Sequence, residues 1–90
     1  MKVIWRPNAR DDLRTIIDYI SDYDEAAAYR LRDRAFDFAE RIAQFPYMFR
    51  SGRLPNTREA VLHPNYILIY RVSTDCIEIV GVIHSRQQYP

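Results

Sequence analysis

Tyr66-Ile67-Leu68-Ile69-Tyr70-Arg71-Val72, separated by Ser73-Thr74-Asp75 from Cys76-Ile77-Glu78-Ile79-Val80-Gly81-Val82-Ile83, carries the densest β pattern in the chain. β-Branched and aromatic residues dominate both runs, and the break between them is short enough for an antiparallel hairpin. A third run, Thr57-Arg58-Glu59-Ala60-Val61-Leu62, precedes them across His63-Pro64-Asn65. Strands are therefore expected over 57–62, 66–72 and 76–83. Because alternate strand residues face opposite sides, Tyr66, Leu68 and Tyr70 cover one face and Ile67 and Ile69 the other. The last run is again apolar on both sides, with Ile77, Ile79 and Ile83 expected opposite Val80 and Val82. Such a sheet needs cover on both faces.

Upstream, residues 2–5 read as a short opening strand. Pro7 suits the first position of a helix, where its missing N–H costs nothing, and Ala9, Leu13, Ile16, Ile17 and Ile20 follow at helical spacing. Arg10, Asp11, Arg14 and Asp18 fall on the other side, and the helix is expected to end near Ser21. Asp22 with Glu25 resembles a capping box, and Asp24 is a competing N-cap, for a second helix reaching about Gln44. Its apolar stripe is Ala28, Leu31, Ala35, Phe38, Ile42 and Phe45, and Asp37 with Arg41 is a favourable i,i+4 pair. Pro46 stops it, and 46–56, with Gly52 and Pro55, reads as the one long loop, carrying Arg50 and Arg53. The order β-α-α-β-β-β predicts an α+β fold: a helical hairpin packed on one face of a mainly antiparallel sheet, in one domain spanning 1–90.

One helical hairpin covers one sheet face. The other face, with Ile67 and Ile69, is expected to meet a second chain, unless strand curl and the loop residues Tyr47, Met48 and Phe49 cover it. Tyr29 and Phe36 lie beside the main stripe of the second helix and form a further candidate partner surface, or else widen its buried face.

Charge narrows the options. Thirteen Lys and Arg against twelve Asp and Glu leave a formal charge of +1, which argues against strong direct DNA binding through a phosphate-neutralising surface. All the cations except Lys2 are arginines, so a focused anion site stays open. One cysteine, Cys76, rules out an internal disulfide and suits a reducing cytoplasm. No apolar run approaches the roughly 20 residues needed to span a bilayer, so no membrane association is expected. No Gly-rich phosphate loop, G-x-S-x-G elbow, H-E-x-x-H or paired-cysteine motif occurs. No metal site or cofactor is expected.

Arg58 and Glu59 open a strand and must point to opposite faces. Arg71 is placed to meet Glu78 across the 73–75 turn. His84 precedes Ser85, Arg86 and Tyr89, which brings an imidazole, a guanidinium and a phenol into one short segment. His63, before Pro64, reads as turn chemistry.

Trp5-Arg6-Pro7-x-Ala9-x-x-Asp12-Leu13, Phe45-Pro46 and the run from Thr57 to the terminal Tyr89-Pro90 together resemble the RelE/ParE superfamily of toxins from bacterial toxin–antitoxin pairs. The closer resemblance is to ParE-type, plasmid-stabilisation toxins. It implies a toxin that acts by binding DNA gyrase and is held inactive by a cognate antitoxin, with larger toxin–antitoxin oligomers an open possibility. Arg58 and Arg71 join Tyr29, Phe36, Ile67 and Ile69 as expected contact residues. The alternative is a RelE-like endoribonuclease that cuts mRNA on the ribosome. That chemistry needs a base for the ribose 2′-hydroxyl, a cation for the phosphorane and an acid for the departing oxygen. Glu59 or His84 would serve as base, Arg58, Arg71 or Arg86 as cation, and His84 or Tyr89 as acid. That reading would be favoured if Glu59, Arg71 and His84 converge on one concave surface. A third alternative is a degenerate member that binds antitoxin without potent toxicity.

Overall fold

The computed structural model describes residues 1–87. Its elements are β1 (Lys2–Trp5), α1 (Pro7–Ser21), α2 (Glu25–Gln44), β2 (Arg50–Ser51), β3 (Thr57–His63), β4 (Tyr66–Val72) and β5 (Cys76–His84). They form one sheet in the order β1-β5-β4-β3-β2, antiparallel except for β1, which runs parallel to β5. The two-residue β2, pairing Arg50 with Glu59 and Ser51 with Arg58, was expected to be loop. Two residues carry too little pattern to read as a strand.

Pro7 occupies the start of α1, and Asp24 rather than Asp22 caps α2, its Oδ1 accepting from the Ala27 N–H at 3.1 Å. Phe45 falls outside the expected stripe: it is the C-cap of α2 and 58% exposed. Arg41 lies over the Phe38 ring at 5.4 Å, and the ion pairs found among the described residues do not include Asp37–Arg41.

The hairpin covers one face of the sheet. Leu13, Leu31, Ala35 and Ile42 meet Ala60, Leu62, Leu68, Tyr70, Ile77, Ile79 and Val82 there. Each fully buried aliphatic side chain contributes on the order of 1.5–3 kcal/mol. Tyr70 is the largest fully buried side chain, and its hydroxyl donates to the Pro46 carbonyl at 2.6 Å. The Phe45-Pro46 pair therefore ends a helix and supplies the acceptor that a buried phenol needs.

The last strand departs from simple alternation. Ile69 pairs with Gly81 and Tyr70 with Ile79, so Val80 is an extra residue in the ladder. A bulge changes the parity of everything beyond it. Val82 consequently joins the helix-side core, and Ile83 turns to the other face with Ile67, Ile69 and Val80, reversing the expected sides of Val82 and Ile83.

Beyond the end of β1, α1 completes the edge of β5. The Asn8 amide donates to Val80 O at 2.6 Å, and Asp12 Oδ2 accepts the Val82 N–H at 3.1 Å. Asp12 thus fixes helix to sheet by satisfying a backbone donor.

Gly52 closes the turn into β3. A Cβ there would lie 2.3 Å from Thr57 Oγ1, and the Gly52 N–H donates to Thr57 O at 2.8 Å. Only glycine permits that approach.

Candidate functional site

The face away from the helices was expected to be open, yet Ile67, Ile69 and Ile83 are 3%, 5% and 8% exposed in the chain by itself. The alternative fold-back of Tyr47, Met48 and Phe49 does not provide the cover. Tyr47 and Met48 are exposed, and Phe49 packs into the helix-side core against Phe38 and Tyr70. After β5 the chain turns, with the Gln87 N–H donating to His84 O at 2.9 Å. Arg53 Nη1 donates to Gln87 O at 3.5 Å, which ties this segment back towards the 52–57 turn. Ile67 and Ile69 therefore have almost no surface to offer.

Charged groups ring that apolar cluster. Arg50 and Glu59, opposed in the β2–β3 ladder, meet at 3.0 Å, and Glu59 is only 4% exposed. Arg71 and Arg6 both approach Glu78 at 3.7 Å, and Ser73 Oγ donates to its other oxygen at 3.0 Å. Arg71 meets Glu78 across the hairpin as their positions predict. Arg58 faces away from Glu59, donating to Phe49 O at 2.8 Å with its guanidinium over the Tyr47 ring at 4.9 Å.

His84 is elsewhere. It pairs with Tyr66, five residues along β4 from Arg71, about 16 Å at the usual strand rise of roughly 3.3 Å per residue. Its ring contacts Tyr66, centroids 5.4 Å apart, on the helix side of the sheet. Its Nδ1 accepts the Arg86 N–H at 3.1 Å, and Arg86 is exposed. The structure thus brings Glu59, Arg50, Arg71 and Glu78 to one face and puts His84 at the opposite end of the other. Tyr89 lies outside the described residues. His63 makes the expected turn contact, its Nδ1 accepting the Asn65 N–H at 3.0 Å.

A second surface lies on the helices. Phe36 is 49% exposed and packs on Trp5, ring centroids 5.7 Å apart. Trp5, Leu13, Ile17 and Phe36 line a groove of about 330 Å³ flanked by Arg10, Arg14 and Arg32. Tyr29, 47% exposed, donates to Glu25 Oε1 at 3.1 Å and carries the Arg32 guanidinium over its ring at 5.0 Å. Neither aromatic belongs wholly to the core. The contribution of Trp5 was not foreseen: a lone aromatic in a four-residue strand gives no sign of which helix it meets.

Among the described residues no cluster of three His, Cys, Asp or Glu is placed to hold a metal, and no helix is long and apolar enough to cross a membrane. Burial raises the Tyr70 phenol above its ordinary value of 10.0, partly offset by the Arg58 guanidinium and a backbone hydrogen bond from Phe49.

A two-helix hairpin on one side of this five-stranded sheet is the fold of the RelE/ParE class of toxins. It matches a chain of the chromosomal ParDE toxin–antitoxin system of P. aeruginosa with a TM-score of 0.81 at 18% identity, covering 93% of this chain and 95% of that one. It also matches the YoeB/ParE toxin of Agrobacterium tumefaciens, with a TM-score of 0.69 at 16% identity over 99% and 100%. The chain belongs to the family of ParE toxins of type II toxin–antitoxin systems, parDE, whose model matches residues 3–89. Among relatives, the toxin-designated protein Y4kP of Sinorhizobium fredii is 38% identical over 99% of this chain and 93% of its own. Toxin RelE2 of Caulobacter vibrioides is 34% identical over 93% and 94%. The chain is the toxin component of a type II pair, and family membership implies a cognate antitoxin as partner.

Proposed function

We propose that this toxin acts in the cytoplasm by binding, with DNA gyrase as its target, and not by cutting RNA. The observation that carries this reading is the separation of His84 from Glu59 and Arg71. Phosphodiester cleavage needs base, cation and acid within hydrogen-bond reach of one phosphate. Here the carboxylate is already engaged by Arg50, and the imidazole sits on the far end of the other face. The low net charge points the same way, because a ribosomal surface rewards strongly basic partners.

For the antitoxin, the favoured contact is the groove beside Trp5 and Phe36. Its apolar lining and three arginines suit an amphipathic helix with an acidic flank. Two of those arginines have weak exposed partners, Arg14 with Asp11 at 4.0 Å and Arg32 with Asp33 at 3.4 Å, which an incoming carboxylate can displace. Arg58, Ile67, Ile69 and Arg71 remain proposed contacts. The isoleucines, 3% and 5% exposed, would have to be uncovered to make such a contact.

A second reading, a RelE-like endoribonuclease, draws on the likeness to RelE2 and on the cationic rim around Glu59. Expression without antitoxin in growing bacteria separates the two. Early loss of supercoiling and DNA breakage with intact mRNA is the expected result. Rapid mRNA cleavage abolished by His84→Ala would establish the ribonuclease, and undisturbed growth would point to a member that retains only antitoxin binding.

A further inference from the structure

Where the α1–α2 turn meets the β3–β4 hairpin, a cavity of about 340 Å³ opens that neither the target nor the antitoxin reading uses. Small-molecule sites begin at ~300 Å³. Tyr19, Tyr23, His63 and Tyr66 line it together with Arg30 and Arg34. Tyr19 and Tyr23 meet edge to face at 5.2 Å, although they are 59% and 77% exposed. Tyr66 lies between His63 at 6.0 Å and His84 at 5.4 Å. Two aromatic groups thus present ring surface to one space whose apolar floor is confined to Ile20, Ala27 and Leu31.

The polar groups are arranged for an anion and a base edge. Arg34 is anchored by its Nη1 donating to Leu62 O at 3.1 Å, and Arg30 makes no ion pair among the described residues. Because His63 Nδ1 accepts the Asn65 N–H, the neutral ring carries its proton on Nε2, where it can donate. The neighbouring Tyr23, through side-chain hydrogen bonding and charge, raises the Tyr19 phenol above its ordinary ionisation range, with smaller effects from burial and Tyr66. The Tyr19 hydroxyl therefore stays neutral and does not repel an anion. Stacking faces beside a guanidinium are the elements that hold an unstacked nucleotide, whereas a peptide anchor wants a deeper apolar pocket.

We propose that this cavity binds a single unstacked nucleotide, its base against the tyrosine rings and its phosphate at Arg30. The inference goes beyond the toxin reading and is independent of whether gyrase or mRNA is the target. It also fits the weak overall charge, since one nucleotide needs one local site.

Titration of the purified chain with AMP, UMP, adenosine and inorganic phosphate, followed by NMR of the tyrosine and histidine rings, tests it. The expected result is millimolar binding of the nucleotides that shifts Tyr19, Tyr23, Tyr66 and His63. Tyr23→Ala should weaken AMP roughly tenfold, the loss of one stacking contact. Arg30→Gln should weaken AMP and leave adenosine unchanged. Both residues are exposed, and an unchanged circular dichroism spectrum confirms that the variants fold. Shifts that map elsewhere, survive Tyr23→Ala, or are reproduced by phosphate alone would overturn the proposal, as would response of these rings to the antitoxin but not to AMP.

Discussion

Leu68 and Tyr70 point from β4 towards the helices, while Ile67 and Ile69, on the same strand, point away. All four are buried, but in different company. The helix side joins residues from every large element into one core, and its polar atoms are met at short range by Pro46 O and Asp12. On the other side, among the described residues, Ile67, Ile69, Ile83 and Val80 cluster, flanked by ion pairs between Arg50 and Glu59 and among Arg71, Glu78 and Arg6. Burial alone therefore does not distinguish the faces; depth of packing and surrounding charge do.

The largest effect should come from Tyr70→Ala. It empties a fully buried ring site and strands the Pro46 carbonyl, for an expected loss of about 3–5 kcal/mol in urea denaturation. Ile69→Ala, one residue away and facing the small cluster, should cost less. Equal losses would break the contrast between the faces.

Next comes Asp12→Ala. It removes the acceptor for the Val82 N–H at the β5 bulge, and an unsatisfied buried donor costs about 1–3 kcal/mol. The measurement is again urea denaturation, and a loss below that range would mean that water replaces the carboxylate.

Tyr70→Phe keeps the ring and removes one hydrogen bond, so about 1 kcal/mol is expected. Its pH dependence is sharper. Because burial raises the folded-state pKa, the native chain holds the phenolic proton when the unfolded chain has released it. That contribution is complete below the unfolded value near 10.0 and is lost as pH rises past it towards the folded value. Tyr70→Phe should flatten this alkaline decline, and an unaltered decline would assign it to other groups.

Much of this architecture was legible in the chain. Pro7 and Pro46 bracket the helices, and the runs rich in β-branched and aromatic residues between short turns mark β4 and β5, because those signals are local. The bulge at Val80 was not legible. Gly81 hints at irregularity, but only pairing with β4 reveals which residue is extra, and that pairing decides the sides of Val82 and Ile83. The candidate site suffered from the same limit. Glu59, Arg71 and His84 are compatible residue types within a short span of sequence, yet strand register separates His84 from the other two by length and by face. The Asp12 contact and the Trp5–Phe36 stack join residues far apart in the chain, where pattern carries no distance information.

The smallest stability effect should come from Arg71→Ala. The side chain is 45% exposed, and its contact with Glu78 is long at 3.7 Å, so at most about 1 kcal/mol is expected. Glu78 also retains Arg6 and Ser73. That weak structural role makes the substitution informative about function. If the ion-paired rim is a contact surface for the target, Arg71→Ala should weaken growth inhibition on expression without antitoxin while leaving the denaturation midpoint nearly fixed. If toxicity and midpoint fall together, Arg71 belongs to the fold and the contrast between the faces is weaker than their packing indicates. Unchanged toxicity would move the target contact away from this rim, leaving the helix groove and the segment after β5 as the surfaces to vary.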